Sequence, residues 1–295
     1  AIDAYNTQER LVEWVREFGT TTVHTGHAPG ELVSGRTMIC KTNGTTVEDA
    51  IIRSDAMVAC TLGEGALKKD GKSPGTRSKS MALIRQKFID AKEYADKLDR
   101  DAEDKEPKKR DLQLEALVNV LNGEMPLLVH ANRTHDIMNA LRLREEFEID
   151  IVLDGGAEAY RLIDEIRESG VPVIVHPQMI RMYGEMENAA FTTASLLSDA
   201  GIPIAIQTGY ESYVPKVRVL VFEASQAAAH GLGFDRALQA CTLDAARLLN
   251  IDDRVGSLDI GKDADLAMWD GDPFEWTTHC TGVLIDGEHV STTVR

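Results

Sequence analysis

Four apolar runs in the middle of the chain stop abruptly at polar residues: PLLVH ends at His130, IDIVLD at Asp154, PVIVH at His176 and PIAIQT at Thr208. Three of the four are followed by a helical pattern. Short apolar runs alternating with helices predict parallel β/α units, and hence a (β/α)8 TIM-like barrel whose chemistry sits at the strand ends.

Read in order, Asn6-Thr7-Gln8-Glu9 has the spacing of a capping box, ahead of a helix with the apolar stripe Leu11, Trp14, Val15 and Phe18 and a stop at Gly19. A β-branched strand over Thr20–Val23 follows, with His24 and His27 just beyond it. RTMICKTNGTT reads as a hairpin turning at Asn43-Gly44. An apolar run over Ala56–Leu62 leads to Gly63-Glu64-Gly65, and Ser78 or Ser80 opens a long helix through Leu98. DRDAEDKEPKKRD reads as a solvated elbow, with a partner-docking tail the second reading.

Helices are then predicted over 112–122, 136–147, 157–169, 191–200, 217–230 and 234–249, interleaved with the four strands. Beyond Asn250 the pattern changes to short strands with Asp-Gly turns. These are too few for a domain of their own and predict pairing with strands from elsewhere. The expected division is a β/α barrel over residues 1–250 and the C-terminal strands of a composite β-sandwich over 251–295.

The 295 residues are 43% hydrophobic, enough for a sizeable core without disulfide or metal staples. A net charge of -16 argues against nucleic acid or an anionic membrane as partner. Cys40, Cys60, Cys241 and Cys280 form no metal-spaced cluster, which favours reduced thiols and a cytoplasmic home, with the periplasm the alternative.

VGSLDIGKDADLAMWDGDPF with VLIDGEHV closely resembles the closing segment of the amidohydrolase superfamily. GTTTVHTG, LLVHANRTHDI and GGAEAYRLIDEIRESGVPVIVHP resemble its imidazolonepropionase-like branch. The resemblance implies a (β/α)8 barrel, a small sandwich built from both chain ends, and hydrolysis of C–N bonds in cyclic or peptide-like amides with zinc or another divalent metal. It also implies a His-x-His pair on the first strand, a carboxylate, two later histidines and a last-strand aspartate. The His-x-His strand is absent, as though the leading strands lay upstream of Ala1, so the barrel is expected to be incomplete with its first strand missing. Another segment, or a homo- or hetero-oligomeric partner, is expected to fill the gap.

The same resemblance makes His130 a metal ligand and Glu64 a candidate carboxylate; packing residue and surface or cap glutamate are the plain alternatives. Gly155 and Gly209 stand where the family has its second later histidine and its aspartate. Glycine offers a metal no lone pair and a water no base, so metal binding is expected to be weak or absent. Two readings follow. One is a catalytically impaired or non-catalytic paralogue or subunit. The other is an active, metal-dependent hydrolase of a small amide, completed by further sequence and rewired around His130, Asp154 and His176. Asp154 as a helix cap and His176 as a packed rim residue are the alternatives to that rewiring. His24 and His27 read as loop histidines with a substrate role open.

Overall fold

The computed structural model of the chain describes residues 1–68, 71–100, 110–177, 179, 182–210 and 219–295. Helix α1 (Arg10–Glu17) precedes strands β1 (Thr22–Thr25), β2 (Val33–Arg36) and β3 (Met38–Lys41). After the short α2 (Val47–Ala50) come β4 (Ile51–Arg53), β5 (Val58–Thr61) and the long α3 (Arg77–Arg100). The β/α alternation then runs through α4 (Leu112–Leu121), β6 (Leu127–Ala131), α5 (Thr134–Phe147), β7 (Ile151–Gly155), α6 (Ile163–Ser169), β8 (Val173–Val175), α7 (Thr193–Asp199) and β9 (Ile204–Ile206). Helices α8 (Leu220–Ala227), α9 (Phe234–Cys241) and α10 (Leu243–Leu248) lead to β10 (Leu266–Trp269), β11 (Cys280–Ile285) and β12 (Glu288–Ser291).

Strands β5 to β9 pair in chain order, all parallel, and β2 adds antiparallel to β5. Both faces of this sheet are buried, as parallel sheets require, so its strands read as continuous apolar runs. Leu127, Val129, Leu153 and Val173 pack outward under the helices with Phe88 and Leu143. Leu128, Val152, Ile174 and Ala205 face inward against Met57, Ile39 and Ile251. Each such Leu, Ile or Val contributes about 1.5–3 kcal/mol by its burial. The architecture is mixed α/β around a parallel sheet, and among the described residues β2 and β9 are its two unpaired edges.

Several expectations are corrected by the packing. The first helix starts at Arg10 with Glu9 as N-cap and no side-chain cap, because Asn6 accepts from Gln8 N (3.1 Å) and Thr7 donates to Thr45 O (2.9 Å). Strand β1 is shifted to include His24 and leaves the parallel sheet, pairing with β3 in a separate sheet of order β1-β3-β4. RTMICKTNGTT is accordingly no hairpin: β2 and β3 belong to different sheets, and the segment after Asn43-Gly44 forms α2, capped by Thr46 and Asp49. The helix expected over 157–169 begins only at Ile163, after a 3-10 turn at Ala159–Arg161. Most of the charged elbow, 101–109, lies outside the described residues.

Among the described residues the C-terminal strands pair with one another rather than with strands from elsewhere, in the order β10-β11-β12, with Asp286-Gly287 at positive φ turning the last hairpin. Side chains rather than strand pairing attach this sheet. Cys280 and Ala267 lie against Gly19, where an added Cβ would come within 2.9 Å of Trp269. Lys41, on β3, meets Asp263 (2.7 Å), Asp265 (3.2 Å) and Asp286 (2.5 Å), and Arg295 pairs with Glu17 (2.6 Å). Burial disfavours the Lys41 charge, but the three carboxylates outweigh it and raise its pKa. No helix among the described residues is long and apolar enough to cross a membrane.

Candidate functional site

Parallel register sets His130 of β6 directly beside Asp154 of β7. Side chains two apart on a strand share a face, so Asn132, just past the end of β6, emerges on the side of His130. The resulting contacts are His130 Nδ1 to Asp154 Oδ2 at 2.8 Å and Asn132 Nδ2 to His130 Nε2 at 3.2 Å. Gln207, just past β9, donates to Asp154 Oδ1, and Tyr210 donates to Asp154 Oδ2 at 3.3 Å. The Tyr210 oxygen lies 3.1 Å from His27 Nε2.

These bonds have a direction. The backbone N–H of Ala157 donates to Asn132 Oδ1 (3.3 Å), which turns the amide NH2 toward His130. Nε2 of His130 must then accept, leaving the ring proton on Nδ1 to be donated to Asp154. Tyr210 gives its one proton to Asp154, so His27 Nε2 donates to the Tyr210 oxygen. Asp154 therefore receives three side-chain donors while its own side chain is only 1% exposed.

Burial alone would raise the Asp154 pKa; the His130 bond, with help from His27 and Gln207, outweighs it and holds the carboxyl below its ordinary range. Burial, reinforced by Asp154, pushes the Tyr210 hydroxyl well up. Burial, with His27 adding to it and Asp154 opposing, pushes His24 down to about 4. Burial likewise lowers His27 against the pull of Asp154. At neutral pH an ionised Asp154 therefore stands near the uncharged imidazoles of His24 and His27 and the phenol of Tyr210.

Gly155 explains why these side chains can meet. Its φ is +92°, and an added Cβ would sit 2.6 Å from Asn132 Oδ1 and 3.2 Å from His130 Cε1. Asn132 and His130 thus fill the space a side chain there would need. Gly209 also has positive φ, +81°.

Neither His176 nor Glu64 is a partner in the contacts given above. His176 follows β8, buried, its N–H donating to Gly155 O (2.9 Å). Glu64 is exposed on the 3-10 turn Glu64–Ala66, its N–H donating to Glu185 Oε1 (2.9 Å). Asp154 caps no helix; both its oxygens face the strand ends. Asn132, Gln207 and Tyr210 are not among the candidates read from the sequence, whereas His27 is there a loop histidine with a substrate role open. The strand-end rule points to Gln207, and the two-residue period on β6 points to Asn132. Nothing in the sequence signals that Tyr210 and His27 would meet.

A catalytic zinc ion takes three protein ligands with open lone pairs and a water. Here both ring nitrogens of His130 are already engaged, as are both Asp154 oxygens. Among the described residues, no three His, Cys, Asp or Glu side chains group as a ligand set. The described residues therefore do not by themselves make up the ligand set that the family resemblance implies.

Above the group opens a cavity of about 390 Å³ lined by His24, His27, Asp154, Gln207, Tyr210 and Thr22 together with apolar side chains from β6, β8, β9, α1 and α10.

Residues 192–295 match the amidohydrolase family. The chain is 29% identical over 183 residues to the amidohydrolase tasK of Hapsidospora irregularis, covering 60% of this chain and 18% of that protein. It is 28% identical over 109 residues to an imidazolonepropionase of Shewanella baltica, 37% of this chain and 26% of that one. The matched parts thus span about a quarter or less of these curated relatives. A crystal structure of an amidohydrolase from Thermotoga maritima superimposes with a TM-score of 0.94 at 29% identity, over 99% of this chain and 77% of that one. The closing segment of the chain thus carries an amidohydrolase family domain, and its fold along nearly the whole length is similar to that of a solved amidohydrolase.

Proposed function

We propose that this chain is a catalytically impaired amidohydrolase, which receives a small amide-bearing molecule at its strand ends without hydrolysing it. The reading takes the parallel sheet as the main part of a (β/α) barrel and places the protein in the cytoplasm, in keeping with its four free cysteines. The observation that carries it is the state of His130. The imidazole that family resemblance makes a ligand gives Nδ1–H to Asp154 and its Nε2 lone pair to Asn132.

Binding zinc through Nε2 would break the Asn132 bond and leave that buried amide unsatisfied, at a cost of about 1–3 kcal/mol. Gly155 adds to the argument, because a ligand-bearing side chain there would collide with the same two residues. Gly209, lacking a carboxylate, offers no group to take a proton from an attacking water.

Assay of the chain with added zinc against cyclic imides, hydantoins, lactams and dipeptides tests the proposal. No hydrolysis above the buffer rate is expected. Turnover that disappears in His130→Ala or His176→Ala would instead establish the rewired enzyme.

A further inference from the structure

The segment that follows β8 turns back across the strand-end rim, where residues 182–188 meet the loops after β5, β6 and β7. Glu185 Oε1 accepts from the Glu64 N–H (2.9 Å) and from Arg77 Nη2 (2.6 Å). Arg133 donates through Nη2 to Gly184 O (2.8 Å) and through Nη1 to Glu187 Oε1 (2.7 Å). Asn188 Nδ2 donates to Glu158 Oε1 (2.7 Å), and Tyr160 donates to Asn188 O (3.1 Å). None of residues 182–188 is buried, and Met182 and Tyr183 stand exposed. A segment tied down by polar contacts, without buried apolar side chains, belongs to the low-stability end of a fold.

The two arginines share one arrangement. Arg77 lies between Asp136 (3.0 Å) and Glu185, and Arg133 between Glu158 (3.1 Å) and Glu187. In each case the carboxylate of the rim is buried, with Asp136 2% and Glu158 4% exposed, whereas Glu185 and Glu187 on the segment are 15% and 57% exposed. When the segment lifts away, each arginine keeps its buried partner and gives up only the more open one. Release therefore strands no buried charge, the outcome that makes breaking an ion pair costly. Contacts between part-exposed charges are weak one by one and weaken further with salt.

We propose that residues 182–188 form a salt-sensitive strap, closed over the loops after β5, β6 and β7 by Glu185 and Glu187 and opening as one unit. Opening uncovers the rim beside the strand ends that carry His130 and Asp154. The device is independent of whether the chain hydrolyses amides.

Amide hydrogen exchange at single-residue resolution tests it. The reporters are the N–H groups of Met186, Glu187 and Ala189, bonded to Tyr183 O, Gly184 O and Met186 O, and that of Glu64, bonded to Glu185 across the rim. In the double variant Glu185→Gln with Glu187→Gln, all four should exchange about three- to tenfold faster, the factor of two such ion pairs, with an unchanged midpoint in denaturant. In the unmodified chain the same four should quicken when sodium chloride rises from about 0.05 M to about 1 M, where charges are screened, while the amides of β6 and β7 do not. Unchanged exchange at the four amides in the double variant or in high salt would overturn the strap, as would acceleration spread equally over β6 and β7. A Glu64 amide that stays slow while the other three quicken would also overturn it, because the segment would then not open as one.

Discussion

Asn132 holds His130 in a single tautomer: its NH2 lies 3.2 Å from Nε2, while its Oδ1 is pinned by the Ala157 N–H. In Asn132→Asp both side-chain oxygens accept, so Nε2 must carry a proton to keep the contact. Imidazole 15N shifts should report an unprotonated Nε2 in the unmodified chain and a protonated one in the variant. An Nε2–H in the unmodified protein would reverse the direction assigned to the whole chain of bonds.

Gly155 tests the same packing by steric means. Alanine there must accept positive φ and push aside Asn132 Oδ1, which would be 2.6 Å away. Strain and overpacking together should cost roughly 2–4 kcal/mol, read as a lower midpoint in denaturant. It follows that Gly155→His, even combined with Gly209→Asp, does not restore a metal site, because the space is filled by His130 and Asn132. A double variant that folds with undiminished stability and gains zinc would show that the filling is dispensable.

What the sequence made legible divides along physical lines. The parallel strands β6 to β9 and their helices were readable because both sheet faces are buried, which writes continuous apolar runs ended by polar residues. The pairing of β1 and β3 was not readable, since strands of four residues carry no record of their partner. Within the site, His130 and Asp154 were visible at strand ends. Their mutual bond depends on register, and Tyr210 and His27 reach the group across 183 residues of chain. The family resemblance located Gly155 as a missing ligand, whereas the structure shows that its neighbours occupy the vacated space.

Acid should destabilise the fold through His24. The unfolded chain binds a proton there near the ordinary 6.5, the folded one only at about 4. Stability is therefore complete above about 6.5, falls as the pH drops through that window, and the loss is finished below about 4. At about 1.4 kcal/mol per pKa unit, His24 accounts for about 3 kcal/mol. Unfolding free energies at pH 7.5 and 4.5 should differ less in His24→Asn than in the unmodified chain, and an equal fall in both would remove His24 from the account.

Lys41 should hold the C-terminal sheet in place. Its side chain is 6% exposed among three carboxylates, and Lys41→Met leaves Asp265, itself 4% exposed, without its cation. Loss of one member of a buried ion pair costs about 3–5 kcal/mol. Amide hydrogen exchange should accelerate most in Cys280–Ile285. Uniform acceleration across the parallel sheet would mean that Lys41 acts on the fold as a whole.

The most direct measurement is equilibrium dialysis of the purified chain against zinc at neutral pH, followed by chelator-free buffer and elemental analysis, with His130→Ala and Asp154→Asn alongside. If His130 is committed to Asp154 and Asn132, the chain should retain well under one zinc per molecule, and neither substitution should alter that amount. One zinc per chain, lost on either substitution, would show that His130 and Asp154 form a working metal site and would contradict the account.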